Sequence, residues 1–583
     1  MRKTKIICTL GPSTNKNTMI MKLLQNGMNV ARINFSHGSH EEHQKTIDEY
    51  KKCRKKLGTS AALLLDTKGP EIRLGSFENG NVTLKTGQKF ILNTSNSFAG
   101  NEEKVWVTYH NLHREVVPGN RILLDDGNIE LKVLTIIDTN IECEVINGGT
   151  VSDKKSLNVP NVSLNLPLIS TKDEQDILFG IKNDFDFIAA SFAQNAEYIK
   201  SLKNILTKNN GNSIKIIAKI ENREGVTNIE EIIRVSDGIM VARGDMGVEI
   251  PFEELPGIQK RIIKQCYTAG KPVITATQML ESMIRSPRPT RAEITDVANA
   301  VYDGTSALML SGETAVGTYP IETLNTMAKI AQEAEYNIDY KNQFKMPPIT
   351  VTGNVTNAIS LATTEAAHSL GAAAIISVTK SGHTARVVSK CRPSCPIIAS
   401  TISPKVYNQL ALSWGVYPVL SNFKNSTDKI FEQAVNEACQ TGIVKNGDLV
   451  VLTGGMPVGV SGTTNTLKVH IVGDVLLEGE GGNNKSATGN TYVANKNDDN
   501  LDYFNSGDVL VISQTTEKIL TTLKYASALI TEEDKASSNA VIVAGALEIP
   551  VIYNAVGATE ILKSGTIITV DASKGLVYSG MKL

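Results

Sequence analysis

In the run "IIAKIENREG", residues 216 to 225, Lys219 and Glu221 stand two apart at the end of an otherwise apolar stretch. Side chains two apart share a face of a strand, so a cation and a carboxylate point the same way where the run reads as buried. Similar endings recur: Arg32, Asn34 and Ser36 close "VARINFS", Asp66 and Thr67 close "ALLLDTK", Asp245 closes "GIMVARGD" and Thr277 closes "PVITATQ". Glu221 and Asp245 suit one hard divalent cation, because Mg2+ takes one or two protein carboxylates and completes its shell with water and substrate oxygens. Arg32, Arg73 and Lys219 supply the positive charge that phosphoryl transfer requires. "ARGDMGVE" adds turn amides suited to a carboxylate or phosphate. Taken singly, these are a surface ion pair, a helix cap and a common turn. Five such endings on one side of one fold describe a cationic, metal-bearing pocket for a small phosphorylated acid.

The elements that must position these groups are short apolar runs alternating with helical patterns. Eight runs, at 5–10, 30–36, 62–68, 187–192, 214–221, 238–245, 272–278 and 307–312, read as parallel strands. Capping boxes are expected where Thr171 precedes Glu174, Thr227 precedes Glu230 and Thr290 precedes Glu293. The pattern predicts an α/β TIM barrel over residues 1–69 and 170–340, with the polar endings at its catalytic, C-terminal face. Residues 70–169 interrupt it after the third strand with short alternating segments separated by Gly, Asn and Asp, which predict a small β-barrel lid domain. Strand and helix alternation restarts over 341–473 as a doubly wound α/β domain. After Gly473, "EGEGGNNKSATGN" reads as a flexible stretch leading into a last domain, 474–583.

At 583 residues the chain exceeds one core, and 41% apolar residues suffice for globular packing. With 59 basic against 60 acidic residues there is no global field for nucleic acid or membrane, so anions must be caught locally. Seven scattered cysteines, of which only Cys391 and Cys395 lie close, predict free thiols in a reducing compartment. The start, "MRKTKIICTLGP", has too short an apolar stretch for a signal peptide, and a cytoplasmic location is expected.

"NFSHG", "LDTKGPEIR", "KIEN", "ARGDMGVE", "ATQMLESM", "RPTRAE" and "SGETA" together resemble the motifs of bacterial pyruvate kinases, in order, across residues 1 to about 473. The resemblance implies transfer of the phosphoryl group of phosphoenolpyruvate to ADP, giving pyruvate and ATP in the last step of glycolysis, by a homotetramer. By match, Lys219 stabilises the phosphoryl group in flight, Arg32 and Arg73 contact it, and Glu221 and Asp245 bind Mg2+ or Mn2+. Thr277 helps hold the substrate carboxylate with Gly244 and protonates the enolate, and Asn34, Ser36, Asp66 and Thr67 match potassium ligands. Asn34, His37, Arg73 and Lys155 match nucleotide contacts. Members with glutamate at the position matching Glu71 generally need a monovalent cation, whereas those with lysine carry their own charge, so Glu71 implies a K+ requirement: an uncompensated carboxylate leaves room for the cation. "TKSGHT", comprising Thr379, Lys380, Ser381, Gly382, His383 and Thr384, matches the family's effector loop and implies a phosphorylated activator: AMP, ribose 5-phosphate or fructose 1,6-bisphosphate. His383 stands where many relatives have arginine.

Other departures are Val316 in place of a common lysine after "SGETA", and Ser156 and Asn161 where glycine is usual. A Schiff-base barrel enzyme also places a lysine at a strand end, but it desolvates that lysine and needs no pair of carboxylates beside it. Residues 531–552 resemble the phosphohistidine domain of phosphoenolpyruvate-utilising enzymes, yet its "SHA" carrier reads "SNA" here, with Asn539. An amide has no nucleophilic nitrogen comparable to neutral imidazole. Incubation with labelled phosphoenolpyruvate is therefore expected to leave no acid-labile label on residues 474–583. Recovery of such a label from that segment overturns the expectation.

Overall fold

Strict alternation builds the barrel. Its strands are β1 (Lys5–Thr9), β2 (Val30–Asn34), β3 (Ala62–Asp66), β4 (Phe187–Ala190), β5 (Lys215–Ile220), β6 (Gly238–Ala242), β7 (Val273–Ala276) and β8 (Ala307–Leu310). One parity (Ile6, Ala31, Leu63, Ile188, Ile216, Ile239) packs outward against the helices. The other (Ile7, Val30, Leu64, Ala189, Ile217, Met240) fills the interior, where Leu412 joins it. The strands close in the order β1-β8-β7-β6-β5-β4-β3-β2, and the eight expected runs are these eight strands. The computed structural model describes residues 1–580 except 163, 345–353, 425, 446–447, 456–463, 474, 495–500 and 502. No helix among them is long and apolar enough to cross a membrane, and all seven cysteines are free thiols.

The lid follows β3. A seven-stranded sheet runs from Ile72–Arg73 at one edge to Lys104–Trp106 at the other. A bridge between Leu74 and Val107, with Gly75 N donating to Trp106 O at 2.7 Å, joins those two edges. The closure lets Phe90, Leu92, Ile122, Leu131 and Ile141 form a core separate from that of the barrel. Asn161 adopts φ 61°, the left-handed conformation for which glycine is the usual residue. Ser156 fastens the lid instead of merely turning it: its hydroxyl donates to Asp126 at 2.8 Å and accepts the Asp126 amide at 3.1 Å.

The packing divides into two units, Met1–Gly353 with Thr379–Leu420, and Asn354–Val378 with Ser421–Leu583. In the first, Ile397–Thr401 pairs in parallel with Val416–Leu420, a strand the sequence pattern did not suggest. In the second, Ala374–Val378 pairs in parallel with Leu449–Gly455, which pairs antiparallel with Thr464–Ile471. An eight-stranded sheet follows, and Lys574 pairs with Asp448 at 3.1 Å. The stretch expected to be flexible is not a linker: it supplies the strands Glu480–Gly481 and Ser486–Ala494. Its glycines serve close approach, since a Cβ on Gly481 would lie 1.7 Å from Ala572 O and one on Gly489 2.6 Å from Gly507 O. Asn539 is exposed at the start of a helix, Asn539–Ala546, capped by the Ser538 hydroxyl.

The capping boxes need correction. The box at Thr290 and Glu293 is present. The helix Thr171–Lys182 is capped one residue earlier, by Ser170 with Asp173, and Asp173 also accepts the amide of Gly69 at 3.0 Å. Thr227 ends the helix Arg223–Thr227, capped by Asn222, and its hydroxyl turns back to Arg223 O. Ser170→Ala is expected to cost about 1 kcal/mol, and Thr171→Ala close to nothing. Chemical denaturation of the two variants checks the assignment, and equal losses contradict it.

Candidate active site

Inward parity carries polar groups to the C-terminal ends of the strands. Arg32 continues from Val30, Asp66 from Leu64, and Lys219 and Glu221 from Ile217, so the residues that follow the apolar filling are charged. Strand register sets Asp66 opposite Asn34 on one side and Ala189 on the other. Arg32 Nε meets Asp66 Oδ2 at 2.6 Å, and its Nη1 donates to Thr9 at 2.9 Å. Lys219 Nζ lies 3.1 Å from Asp66 Oδ1 and 2.9 Å from Glu221 Oε1, and donates to the Ser191 hydroxyl at 2.7 Å. Ser191 in turn donates to Thr67 O at 2.7 Å, and its amide donates to Thr67 Oγ1 at 3.1 Å. Glu221 accepts the amide of Phe192 at 2.5 Å. Asn34 accepts the amide of Ser36 at 3.0 Å.

These charges are buried, and they control one another. Burial opposes the Lys219 charge, but Asp66 and Glu221 outweigh it and raise its pKa, so the ammonium persists. That is the reverse of what a Schiff-base lysine needs. Burial likewise acts against the Asp66 carboxylate, which Arg32 and Lys219 nevertheless hold below its ordinary range. Glu221 differs: burial, reinforced by the charge of Asp245, pushes it up to about 7 although Lys219 pulls it down. A carboxylate so placed, beside the exposed Asp245, has room for further positive charge. The donor set fits a hard divalent cation, with no third acidic ligand grouped there among the described residues.

Asp245 does not close the sixth strand as expected, since β6 stops at Ala242, but lies in the first turn of the helix Arg243–Glu249 directly after it. Across from it, Thr277 and Gln278 follow β7 with φ of 67° and 51°. A β-branched residue in this region is strained, and its surroundings must hold it there. Arg243 does so: its guanidinium donates to Thr277 O at 2.7 Å and Gln278 O at 3.1 Å while pairing with Asp296 at 2.7 Å. The Thr277 hydroxyl accepts the Gly244 amide at 2.8 Å.

Arg73 and Lys155 stand on the lid. Arg73 pairs with Glu71 at 2.7 Å and donates to Lys154 O, and Lys155 pairs with Asp125 at 2.7 Å. Glu71 is therefore not the uncompensated carboxylate expected, because Arg73 neutralises it and Lys68 lies 3.8 Å away. His37 is exposed. A cavity of about 350 Å³, lined by Glu71, Asn158, Asn222, Asp245 and Glu249 among others, opens between lid and barrel. Asn158 spans it to Glu249 at 3.2 Å. Away from this mouth, Thr379 and Thr384 are buried and Lys380 and His383 exposed, and Thr379 N donates to Ser400 O. Val316 is 59% exposed.

Residues 1–324 match the family model "Pyruvate kinase, barrel domain", and 357–470 match "Pyruvate kinase, alpha/beta domain". The chain belongs to the pyruvate kinase family. A pyruvate kinase of Sporosarcina psychrophila is 46% identical over 582 residues, covering 100% of this chain and 99% of that one. One of Geobacillus stearothermophilus is 47% identical over 581 residues, 99% of each chain. The crystal structure of a pyruvate kinase from Cryptosporidium parvum superposes with a TM-score of 0.76 at 42% identity, covering 81% of this chain and 96% of that one. Residues 504–575 match "PEP-utilising enzyme, mobile domain". Membership makes the chain a phosphotransferase of a generally metal-dependent family.

Sequence reasoning missed Ser191, Phe192 and Arg243. Ser191 was discoverable, since it continues the inward parity of Phe187 and Ala189. Phe192, with φ 52°, carried no signal, because its contribution is a backbone amide. Arg243 lay in "RGD", a triplet too common to weigh. A hydrogen bond to a charged group is worth about 1.5–3 kcal/mol. If the Ser191 bond to Lys219 holds the ammonium for the transferred group, Ser191→Ala should slow turnover by roughly 10-fold or more at temperatures where the variant remains folded. Steady-state kinetics beside a thermal melt checks this; unchanged turnover removes Ser191 from the site.

Proposed function

We propose that this chain transfers the phosphoryl group of phosphoenolpyruvate to ADP, yielding pyruvate and ATP. The observation that carries the proposal is the geometry of Lys219, gripped by Asp66, Glu221 and Ser191 at the end of β5. A β-phosphate oxygen of ADP attacks phosphorus, the bond to the enol oxygen breaks, and the enolate takes a proton at its methylene carbon. Lys219 and Arg32, with Arg73 from the lid, face the charge spread over the transferring group. Gly244, Asp245 and Thr277 hold the substrate carboxylate end, and the Thr277 hydroxyl delivers the proton. Asn34, His37, Arg73 and Lys155 contact the nucleotide. Glu221 and Asp245 hold Mg2+ or Mn2+, which supplies Lewis-acid stabilisation of the phosphoryl oxygens.

Asn34, Ser36, Asp66 and Thr67 form the potassium site. Support comes from the register of Asn34 with Asp66, which sets oxygen donors from neighbouring strand ends side by side. With Glu71 already paired to Arg73, the cation's place rests on this oxygen set and not on a free Glu71 carboxylate. A phosphorylated metabolite acting at Thr379–Thr384 activates a cytoplasmic homotetramer. The loop's support is its place at the opening of the helix His383–Lys390, an end that favours an anion.

A lactate dehydrogenase-coupled assay with phosphoenolpyruvate, ADP and Mg2+ tests the whole. Activity is expected to depend on K+, and full activity in buffer free of K+ and Na+ removes the potassium site. Lys219→Met is expected to nearly abolish phosphoryl transfer while the fold persists, and near-normal turnover contradicts its role. Ser381→Ala with Thr384→Ala should remove activation by a sugar phosphate or AMP without lowering the maximal rate.

A further inference from the structure

A second, smaller cavity of about 30 Å³ lies in the first unit, at the far end of the helix His383–Lys390. Four cations line it, Lys271, Arg386, Lys390 and Arg392, with the hydroxyls of Ser306 and Ser413 and no carboxylate among its eleven lining residues. Arg386 and Lys390 are four apart and share a helix face. Arg392 is only 4% exposed, and its guanidinium lies 4.3 Å from the Trp414 ring centroid.

Three of the four cations have a backbone carbonyl partner and donors to spare. Lys271 donates to Ser236 O at 2.6 Å, Arg386 to Ser381 O at 2.8 Å and Arg392 to Gly304 O at 2.7 Å. The carboxylates whose charge reaches them, Asp237 and Glu335, are committed elsewhere. Asp237 pairs with Lys215 at 3.6 Å and accepts the Ile216 amide, while Glu335 accepts the amides of Lys3 and Thr4. Burial accordingly lowers the pKa of all four cations. Cations do favour helix C-termini, by about 0.3–1 kcal/mol each. That accounts for Lys390 and Arg392, but not for Arg386 a turn earlier or for Lys271, which comes from the barrel.

We propose that this cavity is an anion site, distinct from the catalytic mouth and from the loop Thr379–Thr384, that takes one phosphate-class oxyanion. Its size admits a single tetrahedral group and no nucleoside. The ion is either free inorganic phosphate or the phosphoryl end of a small metabolite whose remainder stays outside. One helix carries the candidate effector loop at its start and this site at its end, so an anion here braces that helix against the barrel through Lys271.

Acetylation of individual lysines by acetic anhydride, read by mass spectrometry on the full chain, tests the site without reference to turnover. Inorganic phosphate is expected to slow acetylation of Lys390 and Lys271 several-fold relative to exposed Lys208, and chloride at matched ionic strength is not. Glycerol 3-phosphate in a parallel arm tells the sources apart: equal protection indicates a phosphoryl group in general, and protection by phosphate alone indicates the free ion. Arg386→Gln, or Arg392→Gln should the first not fold, is expected to abolish the protection. Lys219→Met and Ser381→Ala should each retain it. Absence of protection, equal protection by chloride, persistence in both arginine variants, or loss in Lys219→Met or Ser381→Ala overturns the site.

Discussion

Everything at the mouth of the barrel depends on four charges kept dry together. Arg32, Asp66, Lys219 and Glu221 are each at most 8% exposed, yet they alternate in sign along a chain of contacts between 2.6 and 3.1 Å. Isolated, any one of them would be expelled to water or would neutralise itself, and breaking a buried pair commonly costs about 3–5 kcal/mol. Balance makes the cluster tolerable, with two cations against two carboxylates. Strand parity makes it unavoidable, because a barrel whose inner face is filled below by Ile217, Leu64 and Val30 must present its next inward residues at the top.

That balance is uneven in a useful way. Asp66 sits between both cations and is held ionised, whereas Glu221 sits between Lys219 and the repelling charge of Asp245 and rises to about 7. The cluster is thus complete at one end and short of positive charge at the other. Glu221 can relieve the shortage with a proton or with a cation, so loss of the lysine need not unfold the barrel: Arg32 remains with Asp66, and Glu221 can go neutral. Around this core the backbone is forced. Phe192, Thr277 and Gln278 all take left-handed conformations, Phe192 where its amide meets Glu221 and Thr277 where Arg243 grips its carbonyl.

Much of this was legible in the sequence because its physics is periodic. Alternation named the eight strands and put Lys219 beside Glu221, and the polar endings marked the charged face of the barrel. Legibility failed where the determinant was not a side-chain pattern. Glycines in "EGEGGNNKSATGN" suggested flexibility, but Gly481 and Gly489 are there to let backbones touch. A serine one residue before the expected cap claimed the helix Thr171–Lys182, since Ser170 and Asp173 offered the same spacing as Thr171 and Glu174. Glu71 looks unpaired in the sequence because its partner, Arg73, also reads as a phosphate contact.

The lid begins and ends at one place. Ile72–Arg73 pairs with Ser156–Leu157, so the chain leaves the barrel after β3 and returns beside its own point of departure. Seen from the barrel, an excursion of this length collapses into a short connector once the lid has folded. Loop-closure entropy between β3 and β4 then grows only with the residues outside that pairing, 67–71 and 158–186, part of which the helix Thr171–Lys182 already orders. The separate lid core gives the insertion the means to fold on its own account. A lid that forms early therefore lowers the effective sequence separation of the β3–β4 contact, which otherwise joins Leu64 to Phe187 across the longest gap between consecutive barrel strands.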